Sequence, residues 1–333
     1  MKTKFTYTLL AAAAVCSLAN AQTAYTTPVG YSSQTLAQGI NACGLTLQTP
    51  TIASGIIDAI VSTALTDNNI TYSPISGRTY VLEITSSVTS ALVGTIQEVP
   101  AASISGSTIT TPQNLAALGL AAGDSYSLRI APTLEEIFGT VTLNSGGVLQ
   151  NGISATGADI IWVPTGPNTY NKYFLHTSGV FRIAGTTTAA ANVPIIYADG
   201  LYVQKKGATV ATLTVSGEVK TTRTNSVISQ GLNLLGVVAP VGLNLANAGF
   251  EDDLQAGISA TGADIVWIQQ PNLSYIKYFR HTSGFWRSAS APTVNLTAGQ
   301  AESVNISNGF IIQRKGASSV NLDLNVPSAY STL

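Results

Sequence analysis

The chain of 333 residues carries only two histidines, and they lie in near copies of one stretch: KYFLHTSGVFR at 172–182 and KYFRHTSGFWR at 277–287. Each copy offers an aspartate, a histidine and a serine: Asp159, His176 and Ser178, then Asp264, His281 and Ser283. Those residue types can transfer an acyl group when Ser and His meet at hydrogen-bond distance with the Asp behind the His. The spacing opposes this use. On a strand, His176 and Ser178 would share a face with Cα atoms ~6.6 Å apart, and a turn at that point makes no strand-to-helix nucleophile elbow. GISATG at 152–157 is one residue too long for G-x-S-x-G. No catalytic residue is assigned, and hydrolysis stands third among the readings.

Metal chemistry fares no better. Each copy has one His and one nearby carboxylate and lacks a Cys to complete a tetrahedral set. Oxygen ligands from Asp159, Asn168 or Asp199 lack the D-x-D-x-D-G loop of a calcium site. Glu135 and Glu136, which follow Pro132, fit the first turn of a short helix, where the dipole favours acids, better than a sugar-cleaving pair. No metal and no cofactor are expected.

What does recur is a strand face. Tyr170, Lys172, Phe174 and His176 alternate onto one side and return as Tyr275, Lys277, Phe279 and His281. The opposite side varies, with Asn171 becoming Ile276 and Leu175 becoming Arg280. Trp162, Tyr170, Lys172, His176 and Arg182, with Trp267, Tyr275, Lys277, His281 and Arg287, are therefore the candidate ligand-binding residues. An indole or phenol beside polar groups is what a sugar face needs. The preferred reading is packing, with one aromatic anchoring each core and each histidine satisfied by a backbone carbonyl at a hairpin end.

These residues belong to a true internal repeat. Gly152–Arg182 over Gly257–Arg287 gives 19 identities in 31 positions at an offset of 105, and DGLYVQKKGA at 199–208 matches NGFIIQRKGA at 308–317. Upstream, LAQGINACGLTL at 36–47 resembles ISQGLNLLGVVA at 228–239 at an offset of 192. The difference places an extra segment in the first copy. The expected organisation is a leader at 1–21, repeat unit one at 22–212 with an insertion at about 61–140, and repeat unit two at 213–333.

Short β-branched runs ending at Pro or Gly predict strands. The fold class is mainly β, as two tandem β-sandwich or β-barrel-like units, the first with an inserted α+β lobe. GIIDAIVSTAL at 55–65, TPQNLAALGL and APTLEEIFG are the helical candidates, with Pro132 at a helix start. LYVQKKGATVATLTVSG predicts a hairpin whose Lys-Gly turn needs a positive φ at Gly207, and likewise at Gly316, with the basic pairs solvating it. Gly231 to Phe250, a long uncharged stretch, is broken by Pro240 and glycines, which predicts a hairpin and no membrane helix.

The opening MKTKFTYTLLAAAAVCSLANAQ has the basic, apolar and small-residue order of a secretory leader, too short for a span. Without it the balance is 13 basic against 16 acidic residues. That leaves no footprint for nucleic acid and no polybasic lipid anchor. Cys43 then has no intrachain partner, so it is either buried or paired between chains, and the fold rests on apolar burial. Charged residues are only 9% of the chain, and surfaces solvated by Thr, Ser and Asn lean towards β.

The order QG-x-N-x-x-G at 38–44, GDSYSLR at 123–129, TLEEIFG at 133–139 and a Trp- and Tyr-bearing repeat closing on a basic-Gly turn resembles an uncharacterised paralogous family of exported proteins from verrucomicrobial bacteria. The resemblance implies export and a β-rich repeat and assigns no activity, cofactor or site residue. The expected function is a non-enzymatic exported protein of the cell envelope or outer surface, structural or adhesive. A carbohydrate-binding protein using the repeated Trp, Tyr, Lys and His is the alternative, and a glycan or an envelope protein is the expected partner.

Overall fold

The computed structural model describes residues 28–330, so the expected leader at 1–21 lies outside the described residues. Its plan is a seven-strand unit built twice. Val29–Leu36 pairs with Ala211–Glu218 as a two-stranded ribbon, and a five-stranded antiparallel sheet follows the order Phe181–Ile183, Thr169–Leu175, Ile160–Gly166, Gly200–Lys205, Gly39–Gly44. The second unit repeats both parts. Thr224–Ile228 pairs with Val320–Leu324, and the second sheet runs Trp286–Ser288, Tyr275–Arg280, Ile265–Gln269, Phe310–Arg314, Gly231–Leu235.

In each unit a ribbon and a sheet enclose one apolar core, a sandwich-like arrangement with no closed barrel among the described residues. Leu36, Ile161, Tyr173, Phe181, Val203 and Leu213 fill the first core, and Ile228, Val266, Tyr278, Trp286, Ile312 and Leu322 occupy the matching places in the second. Period-two alternation thus sends one side of each sheet inward. The other side, which holds the repeated Trp and Lys, is left to meet something else.

The first unit alone carries an extra lobe between Gly44 and Ile160. One sheet runs Thr51–Ile56, Ser125–Ile130, Thr79–Ser86, Ile96–Pro100, and a smaller one runs Ala59–Val61, Ala64–Thr66, Thr108–Thr110, Ile104–Ser105. They close over Leu65, Tyr80, Leu82, Ile84, Val99 and Tyr126.

Several local expectations are corrected. GIIDAIVSTAL is not a helix: it holds the end of Thr51–Ile56 and the hairpin Ala59–Val61 to Ala64–Thr66, turned at Ser62 with φ 57°. Its β-branched residues favour strand, and burial alternates along 51–57 with period two. TPQNLAALGL contributes a single 3-10 turn, Ala116–Leu118, stopped by Gly119 at φ 100°. In APTLEEIFG the helix Leu134–Phe138 forms, but Thr133 takes the cap, so Pro132 stands before it. Glu136 returns to the Thr133 amide at 2.8 Å in a capping box.

The Lys-Gly hairpin is absent as well. Gly200–Lys205 and Ala211–Glu218 pair in different sheets, so the turn carries the chain between layers, and neither Gly207 nor Gly316 has a positive φ. Gly231 to Phe250 is a strand followed by loop, because Gly231–Leu235 pairs far along the chain with Phe310–Arg314. Among the described residues no helix is long and apolar enough to cross a membrane.

Candidate functional site

Strand register places the candidate residues in one row across each sheet. In the first sheet Lys172 lies opposite Trp162, Trp162 opposite Tyr202, and Tyr202 opposite Ala42; in the second the row is Lys277, Trp267, Ile311, Leu234. Within a row the side chains meet. The Lys172 ammonium sits 3.8 Å from the Trp162 ring centroid and that of Lys277 3.7 Å from Trp267. Tyr170 packs edge-on against Trp162 at 5.9 Å, as Tyr275 does against Trp267 at 6.0 Å. Both indole N–H groups are buried and lack a hydrogen-bond partner among the described residues.

The two rows belong to one seam, because the outer faces of the two sheets pack on each other. Ala42, Leu234 and Ile311 are buried there among Tyr170, Tyr202, Leu232, Trp267 and Tyr275. Tyr170 and Tyr202, with ring centroids 5.6 Å apart, gather there with Tyr275 of the second sheet, linking the units. Burial, first of all, raises all three phenols, and that of Tyr275 reaches about 12. Glycines let the backbones touch. A Cβ on Gly200 would lie 2.6 Å from the Leu235 carbonyl oxygen, and one on Gly309 2.5 Å from that of Cys43, which is the equivalent contact.

The seam is reciprocal around an approximate two-fold. Asn168, with φ 60°, donates its amide to the Leu232 carbonyl at 3.1 Å and accepts from the Leu232 amide at 3.2 Å. Its counterpart Leu273, with φ 65°, lies over Gly39 of the first unit. Gln269 accepts from the Ala42 amide at 2.7 Å and donates to the Ile40 carbonyl at 2.8 Å. Cys43 is buried at the end of this seam. Burial pushes its thiol up to about 12.

The histidines have a different task. His176 and Val180 close a three-residue hairpin loop with Gly179 at φ 80°, and Gly284 at φ 86° does the same after His281. His176 Nδ1 accepts the Ser178 amide at 3.0 Å and meets Ser178 Oγ at 2.8 Å; His281 repeats this at 3.1 and 2.7 Å. Ser and His therefore do meet, contrary to the strand spacing, and the ring is satisfied by the turn's own amide instead of a distant carbonyl. Arg287 is tied to Asn295 and the Pro292 carbonyl at 2.7 and 2.9 Å, and Arg182 lies opposite Phe174 as Arg287 does opposite Phe279.

The aspartates that would complete a triad are spent elsewhere. Asp159 is fully buried and accepts from Lys205 Nζ, the Gln150 amide and the Lys206 amide; Asp264 accepts from Arg314, the Gln255 amide and the Lys315 amide. The expected solvation of the turn by basic pairs is wrong for Lys205 and Arg314. Each is the counter-charge of a buried carboxylate, the only arrangement in which such a charge survives burial.

The sequence reading also missed a junction between the inserted lobe and the two units. Glu83 is buried against Lys220 and accepts from Tyr197 and Thr222 at 2.9 and 2.8 Å, while Arg129 pairs with Glu218 at 2.5 Å. Burial alone would raise the Glu83 carboxyl, but the Lys220 ammonium and the hydroxyl donors prevail and hold it below its usual value. Nearby, Asp199 and Glu98 line a cleft of about 400 Å³ where the lobe meets the seam. Burial and the neighbouring Glu98 push Asp199 up to about 7. No sequence motif marks Glu83 or Glu98, because their partners lie far along the chain. For Lys205 and Arg314 a signal existed, since both copies keep a basic residue before the second lysine.

Among the described residues no group of three or more His, Cys, Asp and Glu side chains could hold a metal ion. No family model, curated protein or solved structure matches the chain.

Proposed function

We propose that this chain is a non-enzymatic, exported β-repeat protein of the cell envelope or outer surface, with a structural or adhesive role. One observation carries the reading: the chemically capable residues shared by both copies are engaged in the same architectural contacts in both. Lysine lies over tryptophan, histidine is held in its turn by serine, and aspartate is locked to a buried cation. Duplicated catalytic sites would keep at least one nucleophile or base free of such duties. A surface rich in Thr, Ser and Asn with few charges suits an extracytoplasmic position.

The test is labelling of intact cells with a membrane-impermeant amine reagent, followed by fractionation. The protein is expected in the envelope or medium and to be labelled through exposed amines. Recovery in the cytosol, unlabelled, would contradict the location. Hydrolytic activity on a panel of esters, peptides or glycosides, abolished by His176→Ala with His281→Ala in a folded protein, would contradict the non-enzymatic reading.

A further inference from the structure

The approximate two-fold that generates the seam also generates two clefts. One, of about 530 Å³, lies between Ser32–Thr35 and Asn41–Cys43 of the first unit and Asn305–Phe310 of the second. The other is the Asp199 cleft, lined by Asn225, Ser226, Val227, Leu235, Ile196 and Ala198. Offsets of 192 and 109 superpose the two sets, so Gln34 answers to Ser226, Cys43 to Leu235, and Asn308 to Asp199.

Both clefts carry an unmet hydrogen-bonding group at the same position. Gln34 is 5% exposed, donates Nε2 to the Gly44 carbonyl at 2.5 Å, and leaves Oε1 without a partner; Ser226 Oγ likewise has none among the described residues. A buried polar group left bare costs its full desolvation, so one kept behind each cleft marks a wall that is not packed for stability alone.

The chemistry of the two differs. The inserted lobe walls the second cleft with Gln97, Glu98 and Gln113, and Asp199 makes it acidic. No residue of that lobe lines the first cleft, and no charged side chain lines it at all. A charged ligand there would lose its hydration without gaining a counter-ion. The first cleft instead interleaves hydroxyls and amides with apolar surface from Pro240, Pro271 and Leu273. A sugar ring presents the complement, with O–H donors around its edge and C–H groups on its faces, and the volume lies in the range of small-ligand sites.

We propose that the cleft lined by Gln34, Thr35, Asn305, Ser307 and Asn308 binds a neutral saccharide, whose hydroxyls meet the exposed Thr35, Asn305, Ser307 and Asn308 side chains. This site shares only Ala42 with the Trp162 and Trp267 rows and does not depend on where the protein resides. The test is binding of the intact mature chain to an array of neutral glucose, galactose, mannose and N-acetylglucosamine oligosaccharides, with sialylated and sulfated glycans and neutral peptides alongside. At least one neutral saccharide is expected to bind and to be preferred over the charged glycans. Ser307→Trp, an exposed change that fills the mouth, is expected to weaken it at least tenfold with the circular dichroism unchanged, and Lys172→Ala to leave it within twofold. No retained neutral saccharide, preference for charged glycans or peptides, or affinity untouched by Ser307→Trp would overturn the proposal. Such a failure leaves the envelope reading intact, because location is read by labelling.

Discussion

At Asp159 and Asp264 a buried carboxylate is offset by one cation and two backbone amides, and the cation is Lys in one copy and Arg in the other. The pairing accounts for why a basic residue persists at a position that looks like a turn. Lys205→Met would strand the Asp159 charge and is expected to cost about 3 kcal/mol or more in urea unfolding, whereas Lys205→Arg, which copies the second unit, should cost under about 1.5 kcal/mol. Asp199 behaves in the opposite sense. Its carboxyl, raised from 3.8 to about 7, binds a proton more tightly folded than unfolded, so it destabilises the fold progressively as pH climbs through that window. Asp199→Asn should therefore stabilise by about 2 kcal/mol at pH 8, a figure reduced for access through the cleft, and by nothing near pH 3. Equal effects at both pH values in thermal melts would contradict this account.

At the scale of elements, the His-Thr-Ser-Gly hairpin separates architecture from chemistry. Gly284 holds φ 86°, where an L side chain is strained. Gly284→Ala is expected to cost about 1–2 kcal/mol, and His281→Ala, which removes an acceptor of the Ser283 amide and the contact with the Ser283 hydroxyl, under about 1 kcal/mol. A reversed order in chemical denaturation would return the histidine to the centre of the account. The elements that were legible in the sequence are those whose pattern is local: ADIIWVP and YNKYFLHT alternate, and both are strands. GIIDAIVSTAL misled because its apolar residues satisfy period 3.6 on paper while a two-residue turn at Ser62 folds it back on itself. The Lys-Gly hairpin misled because the same turn can feed a neighbouring strand or another layer, and only long-range pairing decides which.

For the whole molecule, the repeat announced two units but not that they lie face to face. Tyr170 was legible as part of a face repeated between copies; its packing against the second sheet was not, since nothing local states what covers a face. The seam depends on glycines that permit backbone contact, so Gly309→Ala, whose Cβ would fall 2.5 Å from the Cys43 carbonyl oxygen, should cost about 3 kcal/mol and weaken the protection of both units together. The central claim is that the duplicated residues build one seamed body. Amide hydrogen exchange of the Ala42 amide tests it most directly, because Gly39–Gly44 is an edge strand and this amide is covered by Gln269 of the other unit. The account predicts slow exchange at Ala42 that accelerates at least tenfold in Gln269→Ala. Exchange in the unaltered protein at the rate of an unprotected edge amide would contradict it.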